Sequence, residues 1–387
     1  MPNFIKKPFI MSKINKILYP SRIEENNLGD ILINALLVRE LSINNRVCFK
    51  GQPNQQLLDL ITDKNDYKEN IEVITQIDTT QSFVKTKIKT LSYLIKKSNF
   101  YLVFDTPGHI SGKKSFIKNI LKSLFEISKI LTYKLLGIGY VKYGITLGPF
   151  SNFFWYFQKV IAKLSHLIVV RDQQNAKLLD NKGFKNTMLK PDLAFLLVNN
   201  NLITPQQEET NNSEGVVTVS LRGSIVGKSL DETYFKTITK QTIDLVHKLK
   251  ETKKVTCINI SYQVDADKKT SFLLEDILKN EFKNIQILLH KEILNFNKAS
   301  NLYQSSDVVI TNRLHVFLFA MACNTKSYIV TDIINHKKLI SIASDLNMDT
   351  LIYTDALKIN WNTDIVQDFL ITANNYRNEL KHHIATL

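Results

Sequence analysis

Short apolar runs alternate along the chain with longer amphipathic stretches. In the first half the short runs fall at 14–19, 46–49, 71–75, 100–105, 141–146 and 167–171. Each is strand-length and rich in β-branched or aromatic residues. Helical periodicity follows at 30–41, 113–136, 153–164 and 173–182. Residues 199–215 then lose all periodicity in a polar, Asn-rich stretch that holds a proline. The alternation resumes beyond it. Strands are predicted at 216–221, 254–261, 285–289, 307–311 and 327–331, and helices at 232–250, 269–282, 297–305, 314–323, 337–346 and 364–382. Strands alternating with helices make parallel sheets covered on both faces. The pattern therefore predicts an α/β protein of two doubly wound domains facing each other, 1–200 and 216–387, joined by a linker at 201–215.

Composition agrees with that picture and narrows the chemistry. Of 387 residues, 44% are hydrophobic and 22% charged, which excludes a disordered chain and supplies two cores. Lysine and arginine total 50 against 36 acidic residues, a formal net charge of +14. That excess favours phosphorylated small molecules, nucleic acid or an acidic membrane surface, without choosing among them. Cys48, Cys257 and Cys323 are scattered and odd in number, a pattern for neither disulfides nor zinc. Lysines interrupt the apolar residues of 1–18, so no signal-peptide core is present, and no run is long enough to span a bilayer. The expectation is a cytoplasmic protein.

Ligands of open parallel sheets bind beyond the carboxyl ends of the strands. The polar residues there are the candidates for chemistry. Asn27-Leu28-Gly29-Asp30 opens a helix after the first strand, although Gly29-Asp30 also reads as a turn followed by a cap. Arg171-Asp172 ends the strand at 167–171 and reads first as a self-paired structural element. Arg222 ends the strand at 216–221 and precedes Gly223; an anion contact and an inter-domain salt bridge both fit it. Asn312-Arg313-Leu314-His315 leads directly from a strand into an almost wholly apolar helix. A guanidinium and an imidazole at a helix start add to its free N–H groups and positive dipole end, which makes an anion site. An Arg that caps a neighbour and a His satisfied by a carbonyl is the alternative at that point.

Other patterns are absent or ambiguous. The histidines show no metal spacing, and no H-E-x-x-H, G-x-S-x-G, Walker or G-x-G-x-x-G motif occurs, which argues against P-loop and nicotinamide chemistry. No nucleic-acid-binding motif supports a nucleic-acid partner. The basic amphipathic stretch 113–136, followed by the aromatic segment 150–157, suits either an acidic lipid surface or a core-facing helix with a solvated lysine face.

The ordered set Asn27-Leu28-Gly29-Asp30, Tyr143-Gly144-Ile145-Thr146-Leu147-Gly148-Pro149, Arg171-Asp172-Gln173-Gln174, Pro191-Asp192-Leu193-Ala194-Phe195, Val219-Ser220-Leu221-Arg222 and Arg313-Leu314-His315 resembles the polysaccharide pyruvyl transferase family. The resemblance implies two Rossmann-like domains facing across a cleft, similar to GT-B glycosyltransferases, with the acceptor on the N-terminal side and the donor on the C-terminal side. It implies transfer of the carboxyvinyl unit of phosphoenolpyruvate to a sugar of a surface polysaccharide, or of its lipid-linked precursor, as a cyclic ketal. No cofactor and no metal is implied; phosphoenolpyruvate is the donor substrate. Arg313 and Arg222 would hold its anionic groups and His315 would protonate its methylene carbon. Asp30 would contact or deprotonate the acceptor, and Asn27, Gly29 and Arg171 would complete the site. A lipid-linked acceptor would bring 113–136 to the inner face of the plasma membrane. The chain departs from the family pattern at Phe104-Asp105-Thr106-Pro107-Gly108-His109, which stands where a Gly-rich segment is usual, and at the lead-in Glu24-Glu25-Asn26. A nucleotide-sugar GT-B glycosyltransferase and a non-catalytic scaffold of a polysaccharide assembly complex are the alternative functions.

Overall fold

The computed structural model describes residues 15–21, 27–62, 69–74, 100–110, 112, 116–200, 202–203, 215–225, 229–334, 336–357, 359 and 364–387. The described strands form two parallel sheets. The first contains β1 (Lys16–Pro20), β2 (Arg46–Lys50), β3 (Ile71–Ile74), β4 (Phe100–Asp105), β5 (Gly108–Ile110), β6 (Gly139–Leu147), β7 (Leu167–Val170) and β8 (Thr187–Leu189). Their order is β3-β2-β1-β4-β6-β7-β8, with β5 paired to the far end of β6. The second sheet is β9 (Val216–Ser220), β10 (Cys257–Ile260), β11 (Gln286–Leu289), β12 (Val308–Thr311) and β13 (Lys326–Ile329), ordered β11-β10-β9-β12-β13. In each sheet the winding reverses beside its first strand, at β1/β4 and at β9/β12. These are the positions where doubly wound sheets open a crevice. The fold is that of two Rossmann-like domains.

Both faces of the first sheet are covered, so its strands carry continuous apolar runs. Ile17, Tyr19, Phe49, Leu102 and Tyr143 join one core, shared with α1 (Leu28–Asn44) and α2 (Gln55–Thr62). Leu18, Cys48, Val103 and Tyr140 join another, under α3 (Phe116–Leu135) and α4 (Asn152–Leu164). The helix α5 (Gln173–Asn181) follows β7. The second sheet is covered by α6 (Glu232–Thr252), α7 (Lys268–Glu281), α8 (Phe296–Gln304), α9 (Leu314–Ala322) and α10 (Lys337–Asp345). The last helix, α11 (Asp364–Ala385), packs against α1 and the 3-10 segment Leu193–Leu197. Phe369 of this helix is completely buried and its ring lies 6.2 Å from that of Phe195, tilted by 39°, so the final helix reaches the first sheet's layer. The polar run 204–214 and the first 14 residues lie outside the described residues.

Candidate functional site

The carboxyl ends of β9 and β12 lie side by side, with Ser220 opposite Thr311 in register. The chain leaves β9 through Leu221 into Arg222 and leaves β12 through Asn312 into Arg313. Asn312 clamps the first exit. Its Oδ1 accepts from the Arg222 backbone N–H at 2.8 Å, and its Nδ2 donates to the Arg222 carbonyl at 2.9 Å. The same Nδ2 reaches the Tyr234 hydroxyl at 3.0 Å. Tyr234 lies 3.1 Å from the Thr331 hydroxyl, itself 2.7 Å from His336 Nδ1. A Cβ at Gly223 would meet the Thr270 hydroxyl and, at 2.6 Å, Leu230 Cδ1, so a larger residue there would have to push these side chains aside. Burial pushes the Arg222 guanidinium below its ordinary pKa, and Tyr234 opposes that shift. An arginine tolerates such a displacement without losing its charge at neutral pH.

Arg313 occupies the N-cap position of α9, its backbone N–H donating to Thr311 Oγ1 at 3.0 Å. Its guanidinium pairs with the buried carboxylate of Asp267, which fixes its direction at the cavity wall. His315 follows in the first turn. The rest of the helix, from Val316 to Met321, is buried and apolar, so these opening residues are held by a rigid core element.

The N-terminal domain supplies the opposite wall with the start of α1. Asn27 stands at the N-cap position but does not cap. Its side-chain amide instead donates to Asp30 Oδ2 at 2.8 Å. Gly29 abuts His315: a Cβ at residue 29 would lie 2.9 Å from both Cβ and Cγ of the histidine. Behind them runs a buried chain of charge. Arg171 Nη1 meets Asp192 Oδ2 at 3.0 Å, and Asp192 Oδ1 lies 4.0 Å from His315 Nε2. Asp192 is 1% exposed and also caps the 3-10 segment by accepting from Ala194 N–H at 3.0 Å. The expectation that Arg171 pairs with its neighbour Asp172 is corrected. Asp172 turns instead to the Asn175 N–H at 2.7 Å, capping α5, and takes the Thr146 hydroxyl at 3.1 Å. Thr146 in turn accepts from Arg171 Nε at 3.2 Å. Thr146 is positioned by an irregular stretch of β6, where Gly144 has φ +66° and Leu193 occupies the space a side chain would need.

All seven residues singled out in the sequence, Asn27, Gly29, Asp30, Arg171, Arg222, Arg313 and His315, line one inter-domain cavity of about 300 Å³. Two helix N-termini, those of α1 and α9, meet on it from opposite domains. Among the described lining residues, three arginines and three histidines (His109, His315 and His336) accompany a single carboxylate, Asp30. Such a cavity suits an anion bearing more than one charge. No cluster of three or more His, Cys, Asp or Glu among the described residues is arranged to hold a metal. Sequence reasoning singled out neither His336 nor Gln263, and it gave no role to Asn312, Asp192 and His109 although they stand inside segments already quoted; only the folded contacts place them at the site.

The fold and this cavity define a GT-B-like protein of two Rossmann-like domains whose facing switch points enclose a cationic cleft. The family model described as polysaccharide pyruvyl transferase matches residues 27–332, and the chain belongs to that family. The family supports an enzyme, a transferase of polysaccharide modification. Solved structures with the same overall fold include Anabaena HepE in complex with UDP and glucose. It is 11% identical with a TM-score of 0.55, and the match covers 96% of this chain and 100% of that one. A glycosyltransferase from Rickettsia africae is 13% identical with a TM-score of 0.54, covering 95% of this chain and 94% of that one. No curated protein matches the sequence.

Proposed function

We propose that the chain transfers the carboxyvinyl unit of phosphoenolpyruvate to two hydroxyls of a sugar, forming a cyclic pyruvate ketal on a surface polysaccharide or its lipid-linked precursor. The observation that carries this reading is the convergence of Arg171, Arg222, Arg313 and His315 on one small cavity between two helix N-termini. Phosphoenolpyruvate carries its carboxylate and its phosphate on the same carbon, C2, and arginine forks bind both groups. Arg222 and Arg313, from adjacent strand ends, are assigned to them. Asp267 orients Arg313, and Asn312 orients Arg222.

The chemistry follows from that pose. His315 gives a proton to the methylene carbon; the enol electron pair forms the new C–H bond and positive charge develops at C2. Asp192, beside His315 Nε2, supplies the negative charge that a proton-donating ring needs. A sugar hydroxyl adds to C2 and releases its proton, for which Asp30 is the assigned acceptor. The bond from C2 to the phosphate oxygen then breaks, and phosphate leaves with the electron pair toward the arginines and helix ends. A second hydroxyl adds to C2 and closes the ketal. Of the two hydroxyl protons, one restores His315 and the other leaves with phosphate.

The test is calorimetric binding of phosphoenolpyruvate, UDP and UDP-glucose to the full chain, followed by label transfer to a lipid-linked glycan acceptor. Native protein is expected to bind phosphoenolpyruvate and to release phosphate on transfer. Removing one charged fork by Arg222→Ala should weaken donor binding about 10- to 100-fold, the range of a hydrogen-bonded ion contact of roughly 1.5–3 kcal/mol. Transfer from UDP-glucose alone would defeat the proposal in favour of a glycosyltransferase; binding of neither donor would favour a scaffold.

A further inference from the structure

A second pocket, of about 600 Å³, lies in the N-terminal domain beside the inter-domain cavity and shares His109 with it. Its floor is the carboxyl end of the first sheet, where Lys50 closes β2 and Asp105 closes β4. Its wall is one face of α3, carrying Lys122, Phe125 and Lys129.

The charges around this pocket do not balance. Four lysines line it against two carboxylates, Asp105 and Glu126. Both carboxylates are engaged by the buried Lys142, at 2.5 Å for Glu126 and 3.5 Å for Asp105. Asp105 also accepts from the Tyr140 hydroxyl at 2.8 Å, and Lys129 reaches the same hydroxyl at 2.9 Å. Burial alone would raise the Asp105 pKa, but Lys129, Lys142, Tyr140 and the Thr106 N–H outweigh it and hold the carboxyl at about 2. Lys50 stands apart from this network. Among the described residues no carboxylate pairs with it, and its neighbour of like charge is Lys129. Burial, reinforced by Lys129, pulls the Lys50 ammonium down to about 8. Two ammonium groups set close enough to repel each other are stabilised by an anion between them.

We propose that this pocket holds the phosphoryl end of the acceptor, a glycosyl phosphate or diphosphate gripped by Lys50 with Lys122 and Lys129. Phe125 offers apolar surface to the sugar ring, and the hydroxyls that receive the pyruvate extend past His109 into the donor cavity. The inference deepens the transfer reading and rests on it for the ligand's being the acceptor. The same phosphoryl chemistry is carried by a soluble sugar phosphate and by a lipid carrier.

Titration of the full chain with glucose 1-phosphate, in the presence of saturating phosphoenolpyruvate, reads the pocket. Lys50→Met keeps the aliphatic stem and removes the charge; its Kd should rise roughly tenfold or more, and Lys50→Arg should recover most of the affinity. Donor binding should be unchanged in both variants. The titration is repeated on Arg222→Ala, so that the pocket is judged independently of the donor. Glucose 1-phosphate binding retained there, and lost again on adding Lys50→Met, upholds the pocket even if native protein ignores phosphoenolpyruvate. An unaltered Kd in Lys50→Met, displacement of glucose 1-phosphate by phosphoenolpyruvate, or no binding by native protein overturns it. A parallel arm uses polyprenyl-phosphate glucose in neutral vesicles. Lys50-dependent binding tighter than that of glucose 1-phosphate identifies the lipid-borne form as the source, and equal binding identifies the soluble one.

Discussion

His315 occupies the space that a side chain at residue 29 would fill, and this single contact joins the openings of α1 and α9 across the domain boundary. Gly29 lies in an ordinary helical position, so the backbone itself would accept alanine and gain helix propensity of roughly 1 kcal/mol. The obstacle is the imidazole, whose Cβ and Cγ would stand 2.9 Å from the new methyl. Gly29→Ala should therefore leave helix content unchanged by far-UV circular dichroism while displacing His315 from Asp192. Turnover is expected to fall at least about tenfold, as a misplacement of order 1 Å in a catalytic group can cost 100-fold. Native turnover in that variant would remove His315 from the reaction. The motif residues were legible as strand-end polar positions, but the touch between Gly29 and His315 was not. They are 286 positions apart in the sequence, and no local pattern encodes a contact made only when two domains close.

At the scale of elements, β6, β7 and the 3-10 segment Leu193–Leu197 are locked together by Arg171, Thr146 and Asp192. Both partners of the central ion pair are almost fully buried. Removing one leaves an uncompensated charge inside the protein, which typically costs about 3–5 kcal/mol. Asp192→Ala should lose stability of that order in urea unfolding. The double variant Arg171→Met, Asp192→Ala should be more stable than the single one, since no buried charge remains. A loss under about 1 kcal/mol in the single variant would show that the pair does not organise these elements. The sequence reading paired Arg171 with Asp172 because they are adjacent. Adjacent side chains on an extended strand point to opposite faces, which leaves Asp172 to cap α5. The long elements were read well, β4 and α4 almost residue for residue, because apolar periodicity sets them. Short ones escaped. The strand β5 begins with a glycine after Pro107 and exists only through its pairing with β6, and α2 is two turns long. Neither carries enough periodic signal to be seen before tertiary contacts form.

For the whole molecule, the question left open by the sequence was which way the basic amphipathic stretch 113–136 turns. Its periodicity favoured a core-facing helix with a solvated lysine face over a lipid surface, although both require one apolar stripe. The structure shows that α3 buries Asn119, Ser123, Ile130 and Tyr133 against the domain. Its apolar stripe, in contrast, faces outward: Ile117 is 68% exposed, Leu121 61% and Leu135 88%, with Leu124 and Leu131 between them on the same face. Exposed Phe116 and Phe153 extend the patch onto α4. Lys118, Lys122 and Lys134 flank the stripe. No described helix is long and apolar enough to cross a membrane. An apolar row bordered by lysines is the pattern by which amphipathic helices bind the interface of an acidic bilayer. Two lysines of the phosphoryl pocket, Lys122 and Lys129, share this helix, one face round from the stripe. A lipid surface under α3 would thus set a lipid-borne acceptor beside Lys122 and Lys129. The full chain is accordingly expected to float with phosphatidylserine vesicles at low salt and to bind less as salt screens the lysines. Leu121→Glu with Leu124→Glu should abolish flotation. Stability should change little, about 0.5 kcal/mol or less per exposed site, so that loss of binding is not loss of fold. Absence of flotation by the native chain at low salt, or flotation undiminished in the double variant, would leave the exposed stripe without a membrane role and detach the acceptor pocket from any lipid-borne source.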